Sequence, residues 1–301
     1  MQKFITICTP TYNRAYILPK LYESLVKQSD KNFIWLVIDD GSSDNTKNVI
    51  DVFKKENKLE IQYIFQENKG KHFAVNNGLR NTKTAFFSVI DSDDFLAERA
   101  IAEMQILSEK IKEKPEVAGF TFIRFSEKTE FDREKYGMKE WLVSGSATYD
   151  WEFPGEMVYC LKTEIHKKFL FPEFDGEKFC PESLVFRRIE RQFKILFTDK
   201  VLAFGDYLPD GLMSNYYHLL IKNPKSSLLN IKEKLQDKLT PDQKMDLAKT
   251  YWDIASKSQL PVKEKIFGIG PFLILKVLIK KKKKKKKYQS SSRSIMRKNI
   301  L

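Results

Sequence analysis

The first 125 residues alternate short apolar runs with segments of helical periodicity, a pattern typical of a sheet with helices packed on it. The pattern predicts strands at residues 4–9, 33–39, 61–65, 85–91 and 117–125, and helices near 17–25, 45–55, 73–80 and 98–112. This order indicates an α/β, Rossmann-like, mostly parallel sheet flanked by helices. Ligands of such sheets bind beyond the carboxyl ends of the strands. The loops that follow the strands are therefore the place to look for chemistry.

The predicted fourth strand ends in Asp91, Asp93 and Asp94, three carboxylates within four positions. Like charges this close repel each other. A hard divalent cation such as Mg2+ or Mn2+ relieves that repulsion, because it prefers oxygen ligands and often shares them with substrate phosphates. An acidic turn that caps the helix following Phe95 is the simpler alternative.

Two further strand ends carry polar side chains. The first strand is followed by Thr9-Pro10-Thr11-Tyr12-Asn13-Arg14, and the second by Asp39-Asp40-Gly41-Ser42-Ser43-Asp44-Asn45-Thr46. In a parallel topology both loops lie beside the carboxylates of the fourth strand, and the three loops together predict a nucleotide site with a metal site. The chain has neither a glycine-rich phosphate loop of the Walker type nor a G-x-G-x-x-G fingerprint. Because Asp-Gly-Ser favours turns, each loop taken singly also has a structural explanation.

The pattern changes after residue 125. Residues 126–149 are polar with few periodic runs, and order returns with a run at 156–162, a helix at 181–192 and short strands at 194–197 and 201–204. From about residue 214 the apolar spacing is helical, and a further helix begins at Pro241 after Thr240. The predicted organisation is a domain over 1–213, with a nucleotide-binding half (1–125) and an acceptor-side half (126–213), followed by a helical C-terminal extension over 214–265. Residues 266–288 form an apolar and polylysine segment predicted to associate with a membrane, and 289–301 a disordered tail.

The charge of the chain is confined to its end. The formal net charge is +13, and twelve Lys or Arg residues without any acid lie from Lys276 onward, which leaves residues 1–275 with a net charge of +1. The three cysteines lack the spacing of a zinc site. The N-terminus enters a strand pattern without the apolar region of a signal peptide. These features predict a cytoplasmic protein.

The apolar residues 266–279 are too few to span a bilayer and run directly into eight lysines. An apolar segment joined to a polybasic cluster is the combination that binds anionic membrane surfaces reversibly. The alternative is a segment docked on the core and followed by a disordered basic tail. The predicted membrane-association residues are Lys280, Lys281, Lys282, Lys283, Lys284, Lys285, Lys286 and Lys287.

The order TPTYNR, VIDDGSSDNT, N-x-G and VIDSDD resembles glycosyltransferase family 2, the inverting enzymes of GT-A fold that use nucleotide sugars. The motifs span residues 4–96, and matching features continue to about residue 213. The resemblance implies a GT-A fold, a divalent metal cofactor (Mn2+ or Mg2+) and a nucleotide-sugar donor, with UDP favoured as the commonest donor nucleotide. It implies donor contacts from Thr9, Pro10, Tyr12, Arg14, Asp40, Lys71, Asn76, Asp91 and Ser92.

Within that set the resemblance gives several residues distinct roles. Asp40 would bind the base, and Asp91 would lie near the ribose or the sugar. Asp91 and Asp93 match the DxD element of the family, in which Asp93 would be a metal ligand, and Asp94 matches an additional acid that would ligate or orient the metal. The family often carries Arg where this chain has Val75, and Lys71 would then supply the positive charge against the diphosphate. A solvated loop lysine is the alternative for Lys71, and His72 fits packing better than metal ligation.

An inverting transfer also needs a carboxylate that faces the acceptor hydroxyl. The segment from Phe174 to Ser183 is similar to a subgroup of the family whose base stands at a helix start, which points to Glu182 as the catalytic residue. Glu177 and Asp175 are rivals in the same loop. A first-turn acid with only a structural role remains the alternative.

The expected function is therefore metal-assisted, inverting transfer of a hexose or related sugar to a glycan or lipid-linked acceptor in surface or capsular polysaccharide synthesis. The expected location is cytoplasmic and peripheral, on the inner face of the plasma membrane. The alternative is a polybasic protein that binds nucleic acid or membrane on a catalytically inactive GT-A scaffold. No aromatic nucleic-acid motif accompanies the lysines, so nucleic acid is not the expected partner.

Overall fold

The computed structural model describes residues 3–126, 140–144, 156–206, 208 and 215–280. Contacts divide the chain into two units, residues 1–215 and 216–301, which are described separately below. Most of the predicted loop region 126–149, the lysines beyond Lys280 and the tail 289–301 lie outside the described residues.

The first unit is built on one mixed sheet whose described part contains ten strands. They are β1 (Ile5–Thr11), β2 (Phe33–Asp39), β3 (Ile61–Phe65), β4 (Phe86–Val89), β5 (Phe95–Leu96), β6 (Val117–Phe125), β7 (Glu140–Ser144), β8 (Glu156–Lys162), β9 (Lys194–Thr198) and β10 (Val201–Phe204). The helices are α1 (Leu18–Val26), α2 (Thr46–Glu56), α3 (Lys71–Asn81), α4 (Ala100–Ile111), α5 (Thr163–His166) and α6 (Ser183–Glu190).

The strand order β3-β2-β1-β4-β8-β6-β10-β5 joins two sets of parallel strands through an antiparallel one. Strands β3, β2, β1 and β4 pair in parallel. Strand β8 then pairs antiparallel with both β4 and β6. The β-α alternation of the first 125 residues does not extend to β8, which is why the sequence pattern did not reveal this reversal. The short strand β5, antiparallel to β10, was not predicted either.

The core between the sheet and its helices is aromatic. Trp35 of β2 is fully buried and stacks on Tyr22 of α1, which in turn stacks on Phe53 of α2 at 3.9 Å between ring centroids. The indole N–H of Trp35 donates to the hydroxyl of Thr9 at 3.0 Å, so the polar atom of the buried ring has a partner. This packing fixes β1 and β2 side by side.

The second unit is helical over its described residues. Its helices are α7 (Tyr216–Lys222), α8 (Pro224–Lys234), α9 (Pro241–Lys257) and α10 (Val262–Phe267), followed by helical residues 271–280. Thr240 and Gln243 form a reciprocal capping box at the start of α9, where the sequence predicted a helix start. Tyr251 and Ile254 of α9 lie at the centre of the unit's core. None of the helices over the described residues has the length and hydropathy needed to cross a bilayer.

Candidate active site

The carboxyl ends of β2, β1 and β4 lie side by side, because β1 pairs in parallel with both neighbours. The loops after β1 and β2 are joined by hydrogen bonds. The backbone N–H of Asn13 donates to the Ser42 hydroxyl at 2.9 Å, and the Asn13 side chain accepts from the backbone N–H of Ser43 at 2.8 Å. Asn13 itself adopts a left-handed conformation with φ of 52°. These contacts give the edge of the sheet a fixed shape.

The acids after β2 are used by the backbone around them. Asp39 accepts from the N–H of Ser42 at 2.8 Å and from the Tyr63 hydroxyl at 2.7 Å. Asp44 accepts from the N–H of Ala15 and from both the N–H and the hydroxyl of Thr46. These hydrogen bonds lower the pKa of Asp44 despite the opposing effect of its partial burial. The loop after β2 therefore has the turn-stabilising hydrogen bonds that were its structural explanation in the sequence analysis.

Asp40 is buried and holds the loop before α3. Its Oδ1 accepts from the side chain of Gln66 at 2.8 Å and from the N–H of Lys69 at 2.9 Å, while Oδ2 accepts from the N–H of Gly70 at 2.7 Å. The sequence predicted that Asp40 contacts the base of the donor. The structure instead shows its carboxylate engaged by three donors of the chain, so a base contact would have to share these oxygens.

Gly70 lets a second segment approach this loop. Its φ is +100°, and a Cβ added there would lie 2.0 Å from the carbonyl oxygen of Lys178. The ammonium of Lys178 donates to the Asn68 side chain at 2.8 Å. The segment that leads to α6 is therefore held against the start of α3.

Lys71, the first residue of α3, lies between the end of β4 and the start of α6. Its Nζ is 2.7 Å from Asp91 and 2.7 Å from Oε1 of Glu182. Burial disfavours the charged ammonium, but the two carboxylates outweigh that effect and raise the pKa of Lys71 above its ordinary value. The ammonium of Lys71 thus contacts both Asp91, a predicted donor contact, and Glu182, the predicted base. We call these three residues the Lys71 cluster.

Asp93 belongs to the same strand end and is only partly exposed. Burial and the neighbouring charge of Asp91 raise its pKa, and Lys71 opposes them. Asp91 and Glu182 are more open, with 41% and 50% of their side chains exposed. The strand end therefore holds carboxylates that both reach solvent and repel each other.

Asp94 has a different environment from its neighbours. Its Oδ1 accepts from Nε of Arg124 at 2.6 Å, both side chains are nearly buried, and a Cβ on Gly205 would meet the same oxygen at 2.0 Å. Burial and Asp91 raise the pKa of Asp94 to about 7, against the opposing effect of Arg124. A carboxylate paired and covered in this way would have to leave Arg124 to bind a metal. This geometry argues against the predicted metal-ligand role of Asp94 and favours a role in fixing the strand end to β6.

Asn76, which the family resemblance gave as a donor contact, does not lie at the protein surface. It is fully buried in α3, its amide donates to the carbonyl of Phe171 and to Glu173, and its oxygen accepts from the N–H of Phe171. Arg80 of the same helix reaches Glu173 at 2.8 Å. Burial thus argues against a direct donor contact from Asn76, whose hydrogen bonds hold the segment before α6.

The remaining predicted donor residues divide by exposure. Thr9, Pro10 and Ser92 are buried, and the hydroxyl of Thr9 accepts from Trp35. Tyr12 is 48% exposed, and Arg14 is partly exposed with Nη1 donating to the Tyr16 hydroxyl at 2.9 Å. Tyr12 and Arg14 are thus the predicted donor residues of the first loop that have surface available to a ligand.

The three acids proposed for the base are also separated by the structure. Glu182 is the N-cap residue of α6, as the sequence predicted, and is exposed. Glu177 is buried, with 6% of its surface exposed, and Asp175 is exposed. Glu182 is connected to the strand end through its ion pair with Lys71.

The family is decided by a match to the family model. The glycosyl transferase family 2 model matches residues 6–172, which is more than half of the chain. The chain belongs to glycosyltransferase family 2. It is 26% identical over 212 residues to the glycosyltransferase GlyG of Streptococcus pneumoniae, covering 65% of this chain and 68% of GlyG.

A second relative in the family is shorter in its shared region. The GalNAc(5)-diNAcBac-PP-undecaprenol beta-1,3-glucosyltransferase of Campylobacter jejuni is 32% identical over 102 residues, a third of each protein. The similarity to this protein is confined to that third of the chain.

Solved structures show the same fold. A fragment of Staphylococcus aureus TarS, solved with UDP-GlcNAc, has a TM-score of 0.58 at 17% identity, covering 90% of this chain and 82% of that one. A mannosyltransferase of Pyrobaculum calidifontis, solved with GDP-Man and Mn2+, has a TM-score of 0.56 at 17% identity, covering 84% and 71%. These similarities confirm the predicted GT-A fold.

The residues of this family 2 enzyme fit a cation that is shared with its donor. Within the described residues, no three acids, histidines or cysteines lie close enough to hold a metal ion by themselves. Mg2+ is often bound through one or two carboxylates together with substrate phosphates. Asp93, with Asp91 nearby, offers such an incomplete set, and its pKa is raised first by burial and then by the charge of Asp91, which a cation would offset.

Sequence reasoning missed the residues that position this site. Gly70, Lys178 and Arg124 make the contacts that bring the Lys71 cluster together and set Asp94 apart. A glycine directly before a helix start was a signal for a close approach. An arginine near the end of the apolar strand β6 was a signal for a buried acidic partner.

Proposed function

We propose that this family 2 glycosyltransferase transfers a sugar, with inversion, from a nucleotide-diphosphate sugar to a hydroxyl of a glycan or lipid-linked acceptor. The observation that carries the proposal is the Lys71 cluster. It joins Asp91, at the strand end where the donor is expected, to Glu182, the expected base, through one ammonium 2.7 Å from each. The contact places the expected base next to the strand end at which the donor is expected.

On the donor side, Tyr12 and Arg14 offer an exposed ring and guanidinium beside the strand ends. Asp91 accepts hydrogen bonds from ribose or sugar hydroxyls. Lys71 is the positive charge for the diphosphate, which competes with Glu182 for the ammonium once the donor is bound. A divalent cation held by Asp93 and the donor would neutralise charge on the departing diphosphate. UDP is the proposed nucleotide, as it is in the complex of TarS.

On the acceptor side, Glu182 takes the proton of the acceptor hydroxyl. The hydroxyl oxygen forms its bond to the anomeric carbon from the face opposite the diphosphate. The bond between that carbon and the diphosphate oxygen breaks, and the nucleoside diphosphate leaves with the bonding electrons. Glu182 is the N-cap residue of α6 and is exposed, so an acceptor can reach its carboxylate.

Glycan or lipid-linked acceptors are proposed by analogy with a relative. The name of the Campylobacter protein describes a saccharide on an undecaprenol diphosphate. Synthesis of a surface or capsular polysaccharide is the corresponding setting for this chain. We place the enzyme in the cytoplasm, peripheral on the inner membrane face, because of the lysines that begin at Lys280.

A donor screen tests the proposal. Full-length protein is incubated with UDP-, GDP- and dTDP-sugars, with Mn2+ or with EDTA, and nucleoside diphosphate release is followed beside calorimetric donor binding. We expect release from one donor that depends on the metal and is lost in Asp93→Ala. Glu182→Gln should bind the donor and fail to transfer, while Asp175→Asn, in the same loop but outside the Lys71 cluster, should behave as the wild type.

Two results would contradict the proposal. Failure of every nucleotide sugar to bind would remove the transferase assignment. Binding without turnover in the presence of acceptors, unchanged by Asp93→Ala, would favour the inactive scaffold instead. Removal of residues 280–301 distinguishes the transferase from the alternative of a polybasic nucleic-acid-binding protein. Nucleic-acid binding would disappear with the lysines, whereas donor turnover in detergent should survive.

A further inference from the structure

The helical residues 271–280 of the second unit are apolar on two opposite sides. Ile274 and Val277 are buried, with 2% and 0% of their surface exposed, and Ile274 belongs to the core of the unit. Phe272, Leu275 and Ile279 are 82%, 54% and 45% exposed. Spacings of three and four residues place these three on one helical face. One side of the helix is thus packed, and the other presents large apolar side chains to solvent.

Helix α10, which precedes residues 271–280, also exposes large apolar side chains. Val262 and Phe267 of α10 are 68% and 62% exposed. Gly270, with φ of +90°, makes the turn between the two helices. Five large apolar side chains are therefore exposed within 18 consecutive residues, whereas single exposed apolar residues are ordinary on protein surfaces.

The charge that follows identifies the partner. Lys280 begins a run of eight lysines, and no acidic residue occurs from Lys276 onward. A second copy of the chain would bring the same lysines close to these and repel them. Nucleic acid would satisfy the charge but offers little to an exposed Phe-Leu-Ile face. An anionic lipid surface satisfies both, since it combines negative headgroups with acyl chains.

We propose that Phe272, Leu275 and Ile279 form the face that inserts into the headgroup region of an anionic membrane, and that the positive charge of the sequence from Lys276 onward favours anionic lipids. This inference rests on the peripheral location given under the proposed function and names the residues that would contact the membrane. Its packed side keeps the helix on the second unit, so the face binds at the interface rather than across the bilayer. Binding then depends on an apolar part that salt does not screen and on a charged part that salt does.

Vesicle sedimentation of the full chain tests this, with vesicles of phosphatidylcholine alone or mixed with phosphatidylglycerol. We expect binding to the mixed vesicles only. The double variant Phe272→Ser with Leu275→Ser should lower the partition coefficient by about tenfold or more. Replacing the eight lysines with Gln should lower it by at least about tenfold at low salt. The matched control is Val52→Ser with Ile106→Ser, which removes apolar residues that are 53% and 49% exposed on the first unit.

Several outcomes would overturn the proposal. Equal binding of wild type and the Phe272/Leu275 variant would leave the lysines as the whole signal, and absence of binding to the mixed vesicles would remove the membrane. A wild-type dimer in light scattering that the variant abolishes would assign the face to a second copy. Donor binding, measured on the same samples, should be equal in all variants, so failure of this proposal is distinguishable from failure of the transferase proposal.

Discussion

The ends of β2 and β4 both carry clustered acids, but the structure uses the two clusters in opposite ways. At the end of β2, Asp39 and Asp40 accept hydrogen bonds from backbone and side-chain donors around them and are buried. At the end of β4, Asp91 and Asp93 remain partly exposed, and burial together with the charge of Asp91 raises the pKa of Asp93. The first cluster builds the loops, and the second is left under strain for a ligand.

This difference teaches that a strand-end acid is a candidate for chemistry when the fold leaves it unsatisfied. A satisfied carboxylate stabilises the fold, whereas an acid held near others of like charge costs stability and is kept where function needs it. Asp94, one residue from Asp93, combines both features, because Arg124 pairs with it while burial and Asp91 still raise its pKa to about 7.

The largest expected effect is on turnover, through Glu182 of the Lys71 cluster, which joins the start of α6 to the end of β4. Glu182→Gln removes the proposed base and should lower turnover by about 10³-fold, equivalent to about 4 kcal/mol, with the unfolding curve nearly unchanged. Steady-state kinetics and urea unfolding on the same preparation check this. Turnover within a few-fold of wild type would assign the base elsewhere, with Glu177 the next variant to make.

The β2 cluster should respond in stability instead. Asp40→Asn replaces a carboxylate that accepts from Gln66, Lys69 and Gly70. We expect a loss of about 3 kcal/mol in the free energy of unfolding, because buried donors lose a charged acceptor. Asp51→Asn, on an exposed pair with Lys47, is the control and should change little. Similar unfolding curves for the two variants would break the comparison.

His72 provides a further comparison between residues of the fold and residues of the site, because it follows Lys71 in the chain but is buried. Burial lowers its pKa to about 4, with Glu173 opposing, and both ring nitrogens lack a protein partner. A lowered pKa stabilises the fold above the unfolded value near 6.5, and this contribution is lost as the pH falls through 4. His72→Leu should therefore remove on the order of 3 kcal/mol of acid sensitivity across that window. Unfolding curves at pH 7 and pH 4 measure it, and parallel losses in variant and wild type would contradict it.

The smallest of these effects is expected at the link between the two sides of the site. Lys71→Met should lower turnover by about 30-fold, equivalent to about 2 kcal/mol, because Asp91 and Glu182 lose their shared cation. Lys71→Arg should recover part of it by keeping the charge. Lys69→Met, on the exposed residue two positions earlier, is the control. Equal rates for Lys71→Met and Lys69→Met would return Lys71 to the status of a solvated loop lysine.

Local patterns predicted much of the sheet. Strands β2, β3, β6 and β10 have the residue bounds that the apolar runs indicated, because each run is bounded by turn-forming or charged residues. The fourth strand ends at Val89, two residues before the predicted end. The neighbouring strand ends followed from the parallel order of β2, β1 and β4. The family resemblance gave functional roles to the strand-end motifs, each of which local patterns alone also explained as a turn.

What each site residue does was harder to predict, because its partners lie far along the chain. Asn76 meets Phe171 from 95 positions away, and Asp94 meets Arg124 from 30 positions away. Motif spacing marks which residue types occur at a strand end, but only the packed structure shows which of them already have partners. The contact between Lys71 and Glu182 arises in the same way, from the close approach at Gly70.

The most direct test of the central claim is a pair of unfolding curves at pH 7, for Asp40→Asn and Asp93→Asn, beside the wild type. The pKa of Asp93 is raised by burial and by Asp91, so its ionised form disfavours the fold at neutral pH. We predict that Asp93→Asn is at least as stable as the wild type, while Asp40→Asn is less stable by about 3 kcal/mol. Equal losses of stability in both variants would contradict the division between a cluster that builds the fold and a cluster that serves the reaction.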